Sequence, residues 1–237
     1  MDFSIAILMN TWLPLVVAAL VQASFALGVS MLTLLSGHLL SIEKSSARVH
    51  RLSASYIFGF FLAILSSVIG SMYILSHLDF ASSDKFWAVL AGMAVGIGAT
   101  VVLFYYRWDK RGTELWLPRR AATYLHGRTK ATRSGFEAFV LGVGAVVAEL
   151  VFLAVPIIIA ANLLLGLKGL TQILSVIIYT FITIIPLLAL FFFNARGRRI
   201  SLFVKWREKN KKFLQVAAGA LLIILGFYLL TYKTLGG

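Results

Sequence analysis

Of the nine acidic residues in the chain, only Glu149 stands at the centre of a long apolar run. The run is Ser134–Leu165, SGFEAFVLGVGAVVAELVFLAVPIIIAANLLL. On a helix, Gly142, Ala145, Glu149, Phe152 and Pro156 fall on one face, at steps of three and four. A charge at mid-bilayer costs about 3 kcal/mol on insertion scales, so such a residue turns into the bundle. There it can take up and release a proton or bind a cation. The competing reading is a protonated carboxyl hydrogen-bonded to a neighbouring helix. Glu137, near the start of the run, is expected at the membrane surface.

The elements that must position this acid follow from composition. The chain has 237 residues, 60% hydrophobic and 13% charged, whereas a soluble domain carries about 25% charge. The expected fold is an all-α, polytopic membrane helix bundle forming a single domain over 1–237. No cleavable signal peptide is expected: the first apolar run, Trp12–Leu40, is too long, lacks a basic leader and follows Asp2. The chain has no cysteine, so it holds no disulfide and no thiol redox group. The four histidines do not cluster in sequence, which argues against a metal site. No nucleophile–base pairing or phosphate-binding loop is present, and Gly92–Gly98 opens no strand–helix unit. Neither an enzyme nor a cofactor is expected.

Six segments reach the roughly 20 residues needed to span a bilayer: about 13–40, 53–76, 86–106, 135–163, 169–193 and 213–232. Nineteen of the 22 Lys and Arg fall in the loops 41–52, 107–133 and 194–212. If all six segments span, these three loops share one face, which the positive-inside rule makes cytoplasmic. Both termini are then extracytoplasmic, in a cell (cytoplasmic or inner) membrane. The net charge of +13 is thereby explained as topological anchoring and contact with anionic lipid, not as nucleic-acid binding.

The first segment, at 28 residues or about 42 Å, exceeds a bilayer core of about 30 Å. It must be tilted, broken or begin outside. Gln22, Ala26, Ser30, Thr33 and Gly37 share a face on an unbroken helix, either as a packing seam or, with Ser36 and His38, as polar lining of a site. Pro156 and Pro186, inside the fourth and fifth segments, remove backbone hydrogen bonds and mark expected breaks or hinges.

The two halves, about 13–106 and 134–232, share a layout: a long helix with small residues, a second helix, and a glycine-containing third. Three spans per half oblige the halves to be inverted, a common transporter plan with the working site at the midplane. Several stretches then resemble a known group. Phe139–Gly144 resembles a glycine-rich helix start, Tyr179 precedes Pro186 by seven residues, and Ala54–Gly70 and Val216–Leu230 resemble a second and a last helix. Together they resemble the CcdA/DsbD-like membrane thiol-electron carriers of the LysE-like transporter superfamily. That resemblance implies a redox cysteine in the first and fourth helices. Their positions fall at Leu35 or Ser36, and at Ala148 beside Glu149. With sulfur missing from both, the family's electron transfer cannot be carried over. What the resemblance leaves is a scaffold with a central cavity, in which His38 lies closer to Glu149 than segment counting places it.

Two functions follow as expectations. One is a transporter or exporter of a small solute or ion, with Glu149 as the central acid and Gln22, Ser30, Ser36 and His38 as lining. The other is a redox-inactive accessory or assembly subunit, docking a membrane-protein partner, or a second copy of itself, through the basic loops.

Overall fold

The computed structural model describes residues 11–25, 27–42, 46–104, 127–129, 131–195, 205–206 and 209–235. Among these residues the fold is entirely helical. We number the helices α1 (Leu13–Ser24), α2 (Leu27–Ile42), α3 (Ser46–Ser76), α4 (Asp84–Phe104), α5 (Gly135–Leu165), α6 (Gly169–Ala195) and α7 (Lys211–Leu229). Helices α3 to α7 are each long and apolar enough to cross a membrane, and α1 and α2 pass the same test only as a bent pair. This is a multi-pass membrane protein. Most of loops 107–133 and 194–212 lies outside the described residues.

The long first segment is a broken helix. Between α1 and α2 the axis turns by 43°, with Phe25 extended at φ −68° and ψ 143°. The break separates Gln22 from Ser30 and Thr33, so the continuous polar face expected there does not exist. Conversely, α5 and α6 run unbroken through Pro156 and Pro186, which corrects the expectation of helix breaks at those residues. Each proline forfeits one ladder hydrogen bond, and a helix packed on both sides tolerates that.

Local chemistry sets the helix ends. Ser134 Oγ accepts the Glu137 N–H at 3.2 Å, and Glu137 Oε2 accepts the N–H groups of Arg133 and Ser134 at 2.7 and 3.3 Å. This capping box satisfies orphaned donors of the first turn of α5. At the far end of α4, Gln215 Nε2 donates to the carbonyls of Val101 and Val102 at 2.8 and 2.7 Å, two of the carbonyls a helix leaves unpaired at its C-terminus. Beyond α7, the turn at Leu230–Leu235 brings the Lys233 ammonium to 5.7 Å over the Trp87 ring, where burial lowers its pKa from the usual lysine value.

Glycine sets the two tightest helix contacts. Helices α3 and α5 run parallel: a Cβ on Gly142 would collide with the Tyr56 carbonyl, and one on Gly59 with that of Phe139. Helices α4 and α7 cross antiparallel, and a Cβ on Gly98 would stand 2.8 Å from the Gly219 carbonyl oxygen. Small residues let backbones approach where lipid supplies no hydrophobic drive between helices. By contrast, α3 and α4 are joined by only seven residues yet barely touch; α4 spends its buried face on α7.

Arg48 Nη2 donates to the Arg133 carbonyl at 3.1 Å. The ends of loops 41–52 and 107–133 therefore meet on one face of the bundle, as the charge pattern requires.

Candidate functional site

The break in the first span is where the buried polar chemistry collects. A helix that starts inside a bundle leaves its first N–H groups without intrahelical partners. At the start of α2 one of them, Leu27 N–H, donates to Glu149 Oε1 at 3.0 Å. Glu149 is 2% exposed and arrives from α5, 122 positions away in sequence. A carboxylate suits the positive end of a helix dipole, so Glu149 supplies the cap that α2 lacks locally.

Aromatic residues fix both sides of this junction. Phe25, inside the break, stacks on Phe152 of α5 with ring centroids 5.9 Å apart. The Tyr56 hydroxyl, from α3, donates to the Gly28 carbonyl at 2.9 Å. Gly28 permits this closeness, since a Cβ there would stand 2.6 Å from the Phe60 ring. On the α1 side, the Tyr179 hydroxyl of α6 bonds Gln22 Oε1 at 2.6 Å and lies 3.4 Å from the Pro156 carbonyl. Tyr56 and Tyr179 are fully buried. The Nε2 of Gln22, 5% exposed, has no hydrogen-bond partner. A buried amide left with two unpaired donors costs about 1–3 kcal/mol, which makes Gln22 a place where a guest acceptor would gain.

The other expected lining residues separate. Ser36 is buried, but its hydroxyl pairs with Ser53 Oγ of α3 at 3.2 Å. It lies nine residues past Leu27, about 13 Å along α2, and belongs to helix packing. Ser30 is half-buried, one turn past Leu27 on α2. His38 lies on the α2 backbone, and its side chain is outside the described residues. Ala148, half-buried, is adjacent to Glu149 on the neighbouring face of α5.

Sequence reasoning placed Glu149 and Gln22 in the interior but missed what they bind. Tyr56 and Tyr179 carried a signal, as phenols inside apolar runs, that a buried hydroxyl must find an acceptor. The backbone donor of Leu27 left no signal, because the break lies at an Ala–Ser–Phe–Ala stretch, 23–26, without glycine or proline.

Two grooves are described, and Glu149 lines neither. One, of about 210 Å³, runs along the start of α5 by Arg128 and Phe136. The other, of about 590 Å³, lies between α3 and α4 near their connection. Among the described residues, no three of His, Cys, Asp and Glu gather into a metal-binding group.

No family model, no curated protein and no solved structure matches the chain. The site must be interpreted from its own geometry.

Proposed function

We propose that the protein is a transporter or exporter of a small solute or ion, with Glu149 as its central proton or cation site. The observation that carries this reading is a carboxylate at 2% exposure capping the interrupted first span. Transporters use such interrupted spans at mid-membrane, where half-helix ends meet the charged groups they move. In this reading the structure is a closed state. Protonation or cation binding at Glu149 weakens its hold on Leu27 N–H and frees α2 to shift against α1. Of the expected lining residues, Gln22 and Ser30 lie nearest the break, with Ser36 and His38 further along α2.

The pairing of the helices supports an inverted repeat. Exchange the first span with α5, α3 with α6, and α4 with α7. Every substantial helix–helix contact then maps onto another: α3 against α5 becomes α6 against the first span, and α4 against α7 maps onto itself. The tyrosines follow the same exchange. Tyr56 of α3 reaches a carbonyl of α2 within the first half, and Tyr179 of α6 reaches one of α5 within the second. In this reading the chain keeps a scaffold like that of the CcdA/DsbD-like and LysE-like proteins without their thiol chemistry. The basic loops face the cytoplasm and contact anionic lipid there, and both termini face outward.

Reconstitution tests the proposal. In proteoliposomes, a panel of small cations and solutes is screened for uptake coupled to a pH change. The wild type moves at least one of them, and Glu149→Gln lowers that flux by about tenfold or more, the scale of one lost charge contact. Undiminished flux in Glu149→Gln removes the acid from the mechanism.

A second reading is favoured by one observation: neither described groove is lined by Glu149. On that reading the acid is a structural cap and the protein a redox-inactive accessory or assembly subunit. A stoichiometric membrane-protein partner recovered in mild detergent, with no flux, would establish it.

A further inference from the structure

The larger groove has a physical cause. Because α4 gives its buried face to α7, the α3–α4 hairpin is left splayed, with a cleft of about 590 Å³ between its arms. The walls are Ile74 from α3, Leu78 from the connection, and Phe86, Val89 and Met93 from α4, with Lys85 at the mouth. Ile74, Val89 and Met93 are exposed. Both arms are membrane-spanning helices, so the cleft opens sideways into the bilayer, and acyl chains are the apolar material available to fill it. Lys85 opens α4 at the level where a span meets the interface, and the anion present at that depth is a phosphodiester. Asp84 adjoins Lys85, and Asp79 lies in the short 3₁₀ turn of the same connection. Both are exposed. One cation at the cleft with two exposed carboxylates in the adjoining chain suits a dipolar headgroup better than a purely anionic one.

We infer that the cleft between α3 and α4 is a binding site for a zwitterionic phospholipid, one acyl chain lying along Ile74, Val89 and Met93, its phosphate on Lys85 and its ammonium toward Asp79 and Asp84. Ser83 orders this corner. Its hydroxyl donates to the Phe80 carbonyl at 2.6 Å and accepts the Phe86 N–H at 3.3 Å, so the backbone that carries Lys85 is ordered without the ligand. Asn162 Nδ2 of α5 donates to the Ala81 carbonyl at 2.7 Å, tying the connection to the bundle. The site is therefore shaped before the lipid arrives, unlike the general lipid coat of a span.

Native mass spectrometry of the full chain, released from micelles doped with a single lipid, tests this. Phosphatidylethanolamine is expected to survive as a one-to-one adduct, above phosphatidylglycerol and well above diacylglycerol. Lys85→Glu is expected to lower the phosphatidylethanolamine adduct roughly two- to fivefold, as for loss of one partly exposed ion pair. Val89→Trp, which fills the cleft and leaves the mouth intact, is expected to lower it as well. Ile224→Trp, on the exposed face of α7, is expected to leave it unchanged. Equal retention of diacylglycerol, phosphatidylglycerol held as well as phosphatidylethanolamine, or an adduct indifferent to both cleft variants would overturn the assignment.

Discussion

Replacing Glu149 by glutamine keeps an oxygen for the Leu27 N–H and removes only the charge. Replacing it by alanine removes both and leaves a backbone donor unpaired in the bundle core. The two variants therefore separate cap from charge. Glu149→Ala is expected to lose about 1–3 kcal/mol of stability, read as a lowered thermal transition in detergent, while Glu149→Gln stays closer to the wild type. A Gln variant that melts as early as the Ala variant would mean that the charge itself holds the fold. Tyr179→Phe removes the hydroxyl that engages Gln22 Oε1 and is expected to cost about 1 kcal/mol, measured in the same assay. An unchanged transition would show that Gln22 finds another partner.

The elements obey backbone approach more than side-chain chemistry. Gly142→Ala drives a Cβ into the Tyr56 carbonyl, where α3 and α5 are closest. It is expected to destabilise by about 1–3 kcal/mol, as overpacked cores do, with α3 pushed off α5 and Tyr56 drawn from Gly28. Gly92→Ala, with no atom near the added Cβ, is expected to be neutral or slightly stabilising, as for glycine in any exposed helix interior. Equal losses at the two glycines in thermal unfolding would refute the close-approach argument. Much at this scale was legible. The spacing of Gly142, Ala145, Glu149, Phe152 and Pro156 marks an inward face because steps of three and four share a face whatever the neighbours are; four of the five are buried and Phe152 is half-buried. Ser134 and Glu137 also carry the capping-box spacing in plain sequence. The break at Phe25 was not legible, since nothing local interrupts the helix there. It is held by Glu149, Phe152 and Tyr56 from distant helices, and tertiary contacts of that kind leave no periodicity. Pro156 and Pro186 misled for the converse reason, because packed neighbours let a membrane helix continue past a missing N–H.

For the whole molecule, alternating spans place residue 128 on one side of the membrane and residues 79 and 168 on the other. The chain has no cysteine, so single-cysteine variants report cleanly. In intact cells, Asp79→Cys and Lys168→Cys are expected to react with a membrane-impermeant maleimide, and Arg128→Cys only after lysis. Reaction of all three from one side would break the six-span topology. That the chain crosses a membrane several times could be read from composition, because hydrocarbon thickness sets the length of each apolar segment. Which helices pair could not be read, since lipid-facing and helix-facing apolar residues look alike in sequence. Only the structure reveals that α4 leaves α3 for α7.

The central claim is that Glu149 is a working acid, reached from water at some point in a transport cycle, and not a permanently sealed cap. Carbodiimide labelling of the protein in its native membrane, followed by peptide mass mapping, tests this without knowledge of the substrate. Exposed Glu137 serves as the internal reference. The account predicts that Glu149 is modified over minutes, more at low pH than at high pH, and that the modification blocks flux. Full modification of Glu137 with Glu149 untouched at every pH would contradict it.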